Sequence, residues 1–70
     1  MVEMEPVDSD WISEYGYDPD TATIFVTFRE NGIRWAYRQA PPHVWEEFRL
    51  APSKGRYIHE VLNHFDHGPA

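Results

Sequence analysis

ATIFVTFRENGIRWAYR, residues 22–38, carries two runs of alternation around a turn signal. Ile24, Val26 and Phe28 alternate with Thr23, Phe25 and Thr27, and Ile33, Trp35 and Tyr37 alternate with Arg34, Ala36 and Arg38. A period of two in β-branched and aromatic residues marks a strand with two unlike faces. Asn31-Gly32 is the dipeptide that most readily fills both left-handed positions of a type I′ turn. The stretch therefore predicts a β-hairpin. A two-residue loop sets Glu30 opposite Ile33, Phe28 opposite Trp35 and Val26 opposite Tyr37, all on one face. The other face then holds Phe25 beside Arg38, Thr27 beside Ala36 and Arg29 beside Arg34. A slip of one residue would mix the two sets, so turn chemistry and apolar pattern support the same facing.

Outward from the hairpin, Trp11–Tyr17 reads as a preceding strand. Its alternation admits two facings, and the set Trp11, Ser13, Tyr15 and Tyr17 is taken as inward. Asp18-Pro19-Asp20-Thr21 is a type I turn by composition, with Pro at the second position and Asp able to bond back to the backbone. After the hairpin, Pro41-Pro42 ends the strand because neither can donate a ladder hydrogen bond. A short amphipathic helix follows over His43–Leu50, with Val44, Trp45 and Phe48 on one side. Ser53 is a suitable N-cap for a second helix from about Lys54 to Phe65, whose stripe is Tyr57, Ile58, Val61, Leu62 and Phe65. The expected fold is α+β: a three-stranded antiparallel β-meander followed by two helices packed on one sheet face (β-β-β-α-α). Residues 1–9 read as a flexible acidic N-terminus, 10–65 as a single domain and 66–70 as a flexible tail.

Composition narrows the function classes. Seventy residues make one small domain with limited core volume. Three Trp, four Tyr and four Phe exceed what so small a core encloses, so some of them belong at an interface or against a ligand. With no cysteine there is no disulfide, thiolate zinc site or cysteine nucleophile, which fits a cytoplasmic setting. No apolar run approaches a membrane span. The net charge of −6 argues against extended binding along a nucleic-acid backbone. Yet seven acids, Glu3, Glu5, Asp8, Asp10, Glu14, Asp18 and Asp20, crowd the first 20 residues, and all six basic residues lie later. That leaves room for a local anion site.

Two such sites suggest themselves. Ser53-Lys54-Gly55-Arg56-Tyr57 joins a helix N-terminus to two cations, a hydroxyl, a glycine and an aromatic ring that can stack on a base. The competing reading is a plain helix cap with Tyr57 in the core. The second is the outward face of Arg34, Arg38 and Phe25, together with Arg29, where guanidinium groups beside a ring suit phosphates and bases. A solvated sheet face is the alternative there. His43, His59, His64 and His67 lack metal-ligand spacing and read as surface or tail residues. No nucleophile motif or oriented acid–base pair is visible, so a non-enzymatic role is expected and no cofactor is implied.

Val7-Asp8-Ser9, Gly16-Tyr17-Asp18, the Trp35-Ala36-Tyr37 triplet, Pro41-Pro42 and Ser53-Lys54-Gly55 with Tyr57 together resemble the KTSC domain. This short module is named after an occurrence at the C-terminus of some lysyl-tRNA synthetases and is also found alone in small bacterial and phage proteins. The resemblance spans roughly residues 7–65, and Trp35 stands where the family usually shows Tyr. It implies the fold and, through the synthetase, an association with RNA. The combined expectation is a small homo-oligomeric protein that captures an anionic nucleotide-type ligand, as a sponge for nucleotide signals. The rivals are RNA binding and protein interaction through the open sheet face.

Overall fold

The structure is a computed structural model and describes residues 2–70. Its architecture is α+β, with a five-stranded antiparallel sheet in the order β1-β2-β3-β4-β5. The strands are β1 (Glu5–Pro6), β2 (Ile12–Asp18), β3 (Thr23–Phe28), β4 (Arg34–Arg38) and β5 (Asp66–Pro69). Helices α1 (Pro42–Leu50) and α2 (Lys54–Glu60) and one 3-10 turn (Leu62–His64) intervene between β4 and β5.

Two strands are therefore added to the meander expected from sequence. Residues 66–70, read as a tail, supply β5, which lies along β4 with Asp66 opposite Arg38 and Gly68 opposite Ala36. Residues 1–9 supply β1, with Glu5 opposite Tyr15. Neither segment alternates. Each is an edge strand that takes its hydrogen bonds from a neighbour, and Pro6 and Pro69 are tolerated there because an edge leaves donors unused. Arg29 secures the lead-in further, donating from Nε to the Ser9 carbonyl at 2.8 Å and from its terminal nitrogen to that of Ile12 at 3.3 Å.

The hairpin forms with both faces as predicted but with a different register. Val26 lies opposite Trp35 and Ile24 opposite Tyr37, two residues from the expected pairing. The loop is longer because only Gly32 takes a left-handed conformation (φ 71°), whereas a type I′ turn needs two such residues. The Asn31 side chain instead accepts the Ile33 N–H at 3.0 Å, and the Gly32 N–H reaches the Phe28 carbonyl at 2.8 Å. A slip of two residues preserves facing, so the apolar set stays inward. Arg29 falls into the loop and does not oppose Arg34.

β2 departs further. Its register shifts between Ile12 and Glu14, a bulge that resets the alternation. Ile12 and Tyr15 are both buried as a result, and Trp11, expected inward, is 60% exposed. The core joins Ile12, Ile24, Val26 and Tyr37 of the sheet to Val44 and Phe48 of α1 and to Ile58 and Leu62 beyond it. Tyr17 stacks on Trp45 at 5.5 Å and donates its hydroxyl to the Ala40 carbonyl at 2.7 Å. α2 is shorter than its apolar stripe suggests. The chain leaves helical geometry at Val61 (φ −120°) to turn back along β4.

Candidate functional site

The anion site expected at the tip of α2 is chemically occupied by the protein itself. Ser53 caps the helix by accepting the Arg56 N–H at 3.3 Å. Lys54 turns back to α1, and its Nζ donates to the carbonyls of Arg49 and Ala51, each at 2.7 Å. Burial there lowers its pKa. Arg56 pairs with Glu60 at 2.8 Å one turn later. Tyr57 bolts the helices together: its ring stacks on Phe48 at 5.6 Å and its hydroxyl donates to Glu47 at 2.9 Å. Burial first, then the bond to Glu47 and its charge, push the Tyr57 pKa up to about 12. Gly55 is required by Trp11, since a Cβ at that position would run into the indole ring. The hollow at this tip, about 320 Å³, also contains Asp8 and Asp10, which repel an anion.

The second expected group lies on the opposite side of the sheet. Arg34 pairs with Glu14 at 3.2 Å, and Arg38 with Asp66 at 3.7 Å. Phe25 sits between them, half-buried beside Ala36. The helix-tip residues and the Phe25–Arg34–Arg38 face therefore do not converge on one pocket within a chain. With Arg29 on backbone carbonyls and Arg49 between Glu5 and Glu46, every one of the six basic side chains has an internal partner.

A different site stands at the turn end of the inner face, where α2 borders the sheet with Gly55, Ile58 and His59 but does not close over it. Phe28 and Trp35 form its floor, with ring centroids 6.4 Å apart in an edge-to-face arrangement. Trp11 closes one side over Gly55, and Ile33 forms part of the rim. The groove measures about 350 Å³, within the range of small-ligand sites. Among the described residues, two of the three large apolar side chains that are most exposed, Trp11 and Ile33, belong to it.

Its polar groups are few and directed. His59 and Asn63 enter from the helical side, and His67 from β5. Nδ1 of His67 lies 2.7 Å from the Phe65 carbonyl, which only accepts, so Nδ1 carries the proton. In the neutral ring Nε2 is then left as an acceptor. Asn31 uses its carbonyl on the Ile33 N–H and keeps its amide donors available. Asp10 and Glu30 stand just beyond the rim near Trp11 and Phe28. Among the described residues no three His, Asp or Glu side chains converge as a metal site requires, and no helix is long and apolar enough to cross a membrane.

The one clue to this groove in the sequence was the surplus of aromatic residues. Its members come from strands, the turn, the second helix and the C-terminal segment, so no local pattern groups them.

Fold and groove together define a small α+β domain with helices on one side of its sheet and an aromatic opening between the two layers. The chain belongs to the KTSC domain family, which it matches over residues 8–65. The solved structure of a KTSC domain protein from Yersinia pestis is similar throughout, with a TM-score of 0.92 at 32% identity, covering 100% of this chain and 99% of that one. A protein of Tsukamurella paurometabola is 32% identical over 59 residues, 84% of this chain and 87% of its own length. A lysine–tRNA ligase of Nostoc sp. is 38% identical over 52 residues, 74% of this chain but only 9% of the ligase.

Proposed function

We propose that this chain is a non-enzymatic binding module that captures a nucleotide-type ligand by its base, stacked in the aromatic groove, with no bond made or broken. One observation carries the reading: two Trp rings and a Phe line an opening whose polar groups suit the edge of a heterocycle. Base–aromatic stacking supplies about 1–3 kcal/mol per base without needing cations. This matters because the six cations are already engaged. The donors of Asn31 and the Nε2 acceptor of His67 can then distinguish one base edge from another. The rim carboxylates Asp10 and Glu30 disfavour phosphates placed near them, so a nucleoside is expected to bind at least as well as its triphosphate.

Quenching of tryptophan fluorescence by the four ribonucleosides and their triphosphates tests this. Trp35→Ala should weaken the best nucleoside by about 5- to 150-fold, the equivalent of one lost stacking contact. Absence of binding by any nucleoside, or an unchanged affinity in Trp35→Ala, would overturn the proposal. A triphosphate that binds far more tightly than its nucleoside would return the argument to phosphate recognition.

The lysine–tRNA ligase relatives favour a second reading in which the base belongs to a single-stranded RNA loop. Unstacked loop bases are what aromatic grooves accept from RNA. Affinity for a structured RNA that exceeds that of every free nucleoside and falls with salt would distinguish it.

A further inference from the structure

The outer face of the sheet is independent of the groove and remains uncovered by any helix. Its central row crosses four strands through Gly16, Phe25, Ala36 and Gly68, and Met4, just before β1, lies beside Gly16. One end of the row is a ridge, where the Met4 sulfur and a Val2 methyl lie 2.8 Å from the place a Gly16 Cβ would take. The other end is a trough of about 540 Å³, bordered by Phe25, Arg38 and Asp66 and floored by Ala36. Parallel rows run on both flanks. Glu14, Thr27 and Arg34 form one, and Asp18, Thr23 and Arg38 form the other. Each flank carries an acid on β2 and a base on β4, and the second ends at Asp66 on β5. Within the chain Arg34 reaches Glu14 at 3.2 Å and Arg38 reaches Asp66 at 3.7 Å, exposed pairs whose charges remain open to a second partner.

We infer that this face binds a second copy of the same chain, in an isologous dimer whose two-fold axis runs along β3. Such an axis lays β2 over the partner's β4 and sets each row against itself. Glu14 then meets the partner's Arg34, and Asp18 meets the partner's Arg38. The Met4 ridge meets the partner's β5 beside the trough that Arg38, Asp66 and Pro69 border, and the two Phe25 rings meet at the axis. The charge pattern also selects the axis. A two-fold running across the strands would put Glu14 on the partner's Asp18 and Arg34 on the partner's Arg38, four like-charge contacts that disfavour it. The groove lies on the opposite face of each protomer, so the dimer presents two grooves pointing away from each other.

Asp18 and Arg38 give the sharpest test, because they sit two strands apart in one chain and meet only across the dimer. Light scattering during size exclusion should give the full chain twice its 8.3 kDa mass at high-micromolar concentration. Asp18→Lys and Arg38→Glu should each weaken the dimer about tenfold or more. An equimolar mixture of the two variants should restore it, since the exchanged charges attract only in the mixed pair. Asp18 also accepts the Asp20 N–H at 2.9 Å, so Asp18→Asn, which keeps that bond, separates charge from turn stability and should weaken the dimer less than Asp18→Lys. Circular dichroism shows that each variant is folded. A monomeric wild type, variants that dimerise as well as wild type, or a mixture that stays monomeric would each overturn the inference.

Discussion

The two ends of the inner sheet face are built from the same kinds of residue and meet different fates. At the end near Pro41, Ile24, Val26 and Tyr37 lie beneath α1 and α2 and are almost completely buried. At the turn end, Phe28, Ile33 and Trp35 continue the same alternation, but α2 stops at Glu60 and leaves them partly open. The side chains do not decide which end becomes core and which becomes groove. The reach of the second layer does. An apolar surface covered by a helix contributes to stability, and the same surface left open is available to a ligand.

That contrast can be broken most severely at Phe48, which is fully buried and touches Tyr15, Trp45 and Tyr57. Phe48→Ala should cost about 3–5 kcal/mol in urea unfolding, a large part of the stability of a domain this small. Trp35→Ala at the open end should cost markedly less stability while removing ligand binding. Comparable losses of stability would mean that the groove is core after all.

The boundary between the two ends is set at Gly55, where Trp11 lies against the helix. Gly55→Ala should destabilise by about 1–3 kcal/mol, because the added methyl displaces the indole. In a Trp11→Ala background the same change should become neutral or stabilising by up to about 1 kcal/mol, since alanine favours a helix where glycine does not. An equal penalty in both backgrounds would show that Trp11 is not the obstacle.

The smallest effect concerns the bolt between the helices. Tyr37 and Tyr57 both have pKa values pushed up to about 12, in each case chiefly by burial. An unfolded tyrosine ionises near its ordinary value of 10, so the folded state holds more protons between pH 10 and about 12. The stabilisation from these groups is complete below pH 10 and lost as pH rises towards 12. Tyr57→Phe should cost about 1 kcal/mol at neutral pH through its lost hydrogen bond and should make the alkaline decline shallower. Urea titrations at a series of pH values would measure both. An unchanged slope would assign the alkaline loss to Tyr37 alone.

Much of the fold was legible because it rests on local chemistry. Alternation at 23–28 and 33–38 set the faces of the hairpin, Pro41-Pro42 and Ser53 marked where the helices start, and Phe25, Arg34 and Arg38 do share the outer face. The anion site was less legible. Cap, glycine and cations are all present at Ser53–Arg56, yet their partners Arg49, Ala51, Glu60 and Trp11 are supplied from elsewhere, and no local pattern names them.

Sequence alone determined the three inner strands, the two helices and the two-sidedness of the sheet, since these follow from neighbours a few residues apart. Tertiary structure alone decided the two-residue shift at Asn31-Gly32, the bulge after which Trp11 stands exposed at the groove instead of in the core, and the edge strands Glu5–Pro6 and Asp66–Pro69. Each of these depends on a hydrogen bond or a packing contact offered by a distant segment. The groove belongs with them: Trp11, Trp35, Gly55 and His67 come from four separate segments that only the tertiary fold brings together.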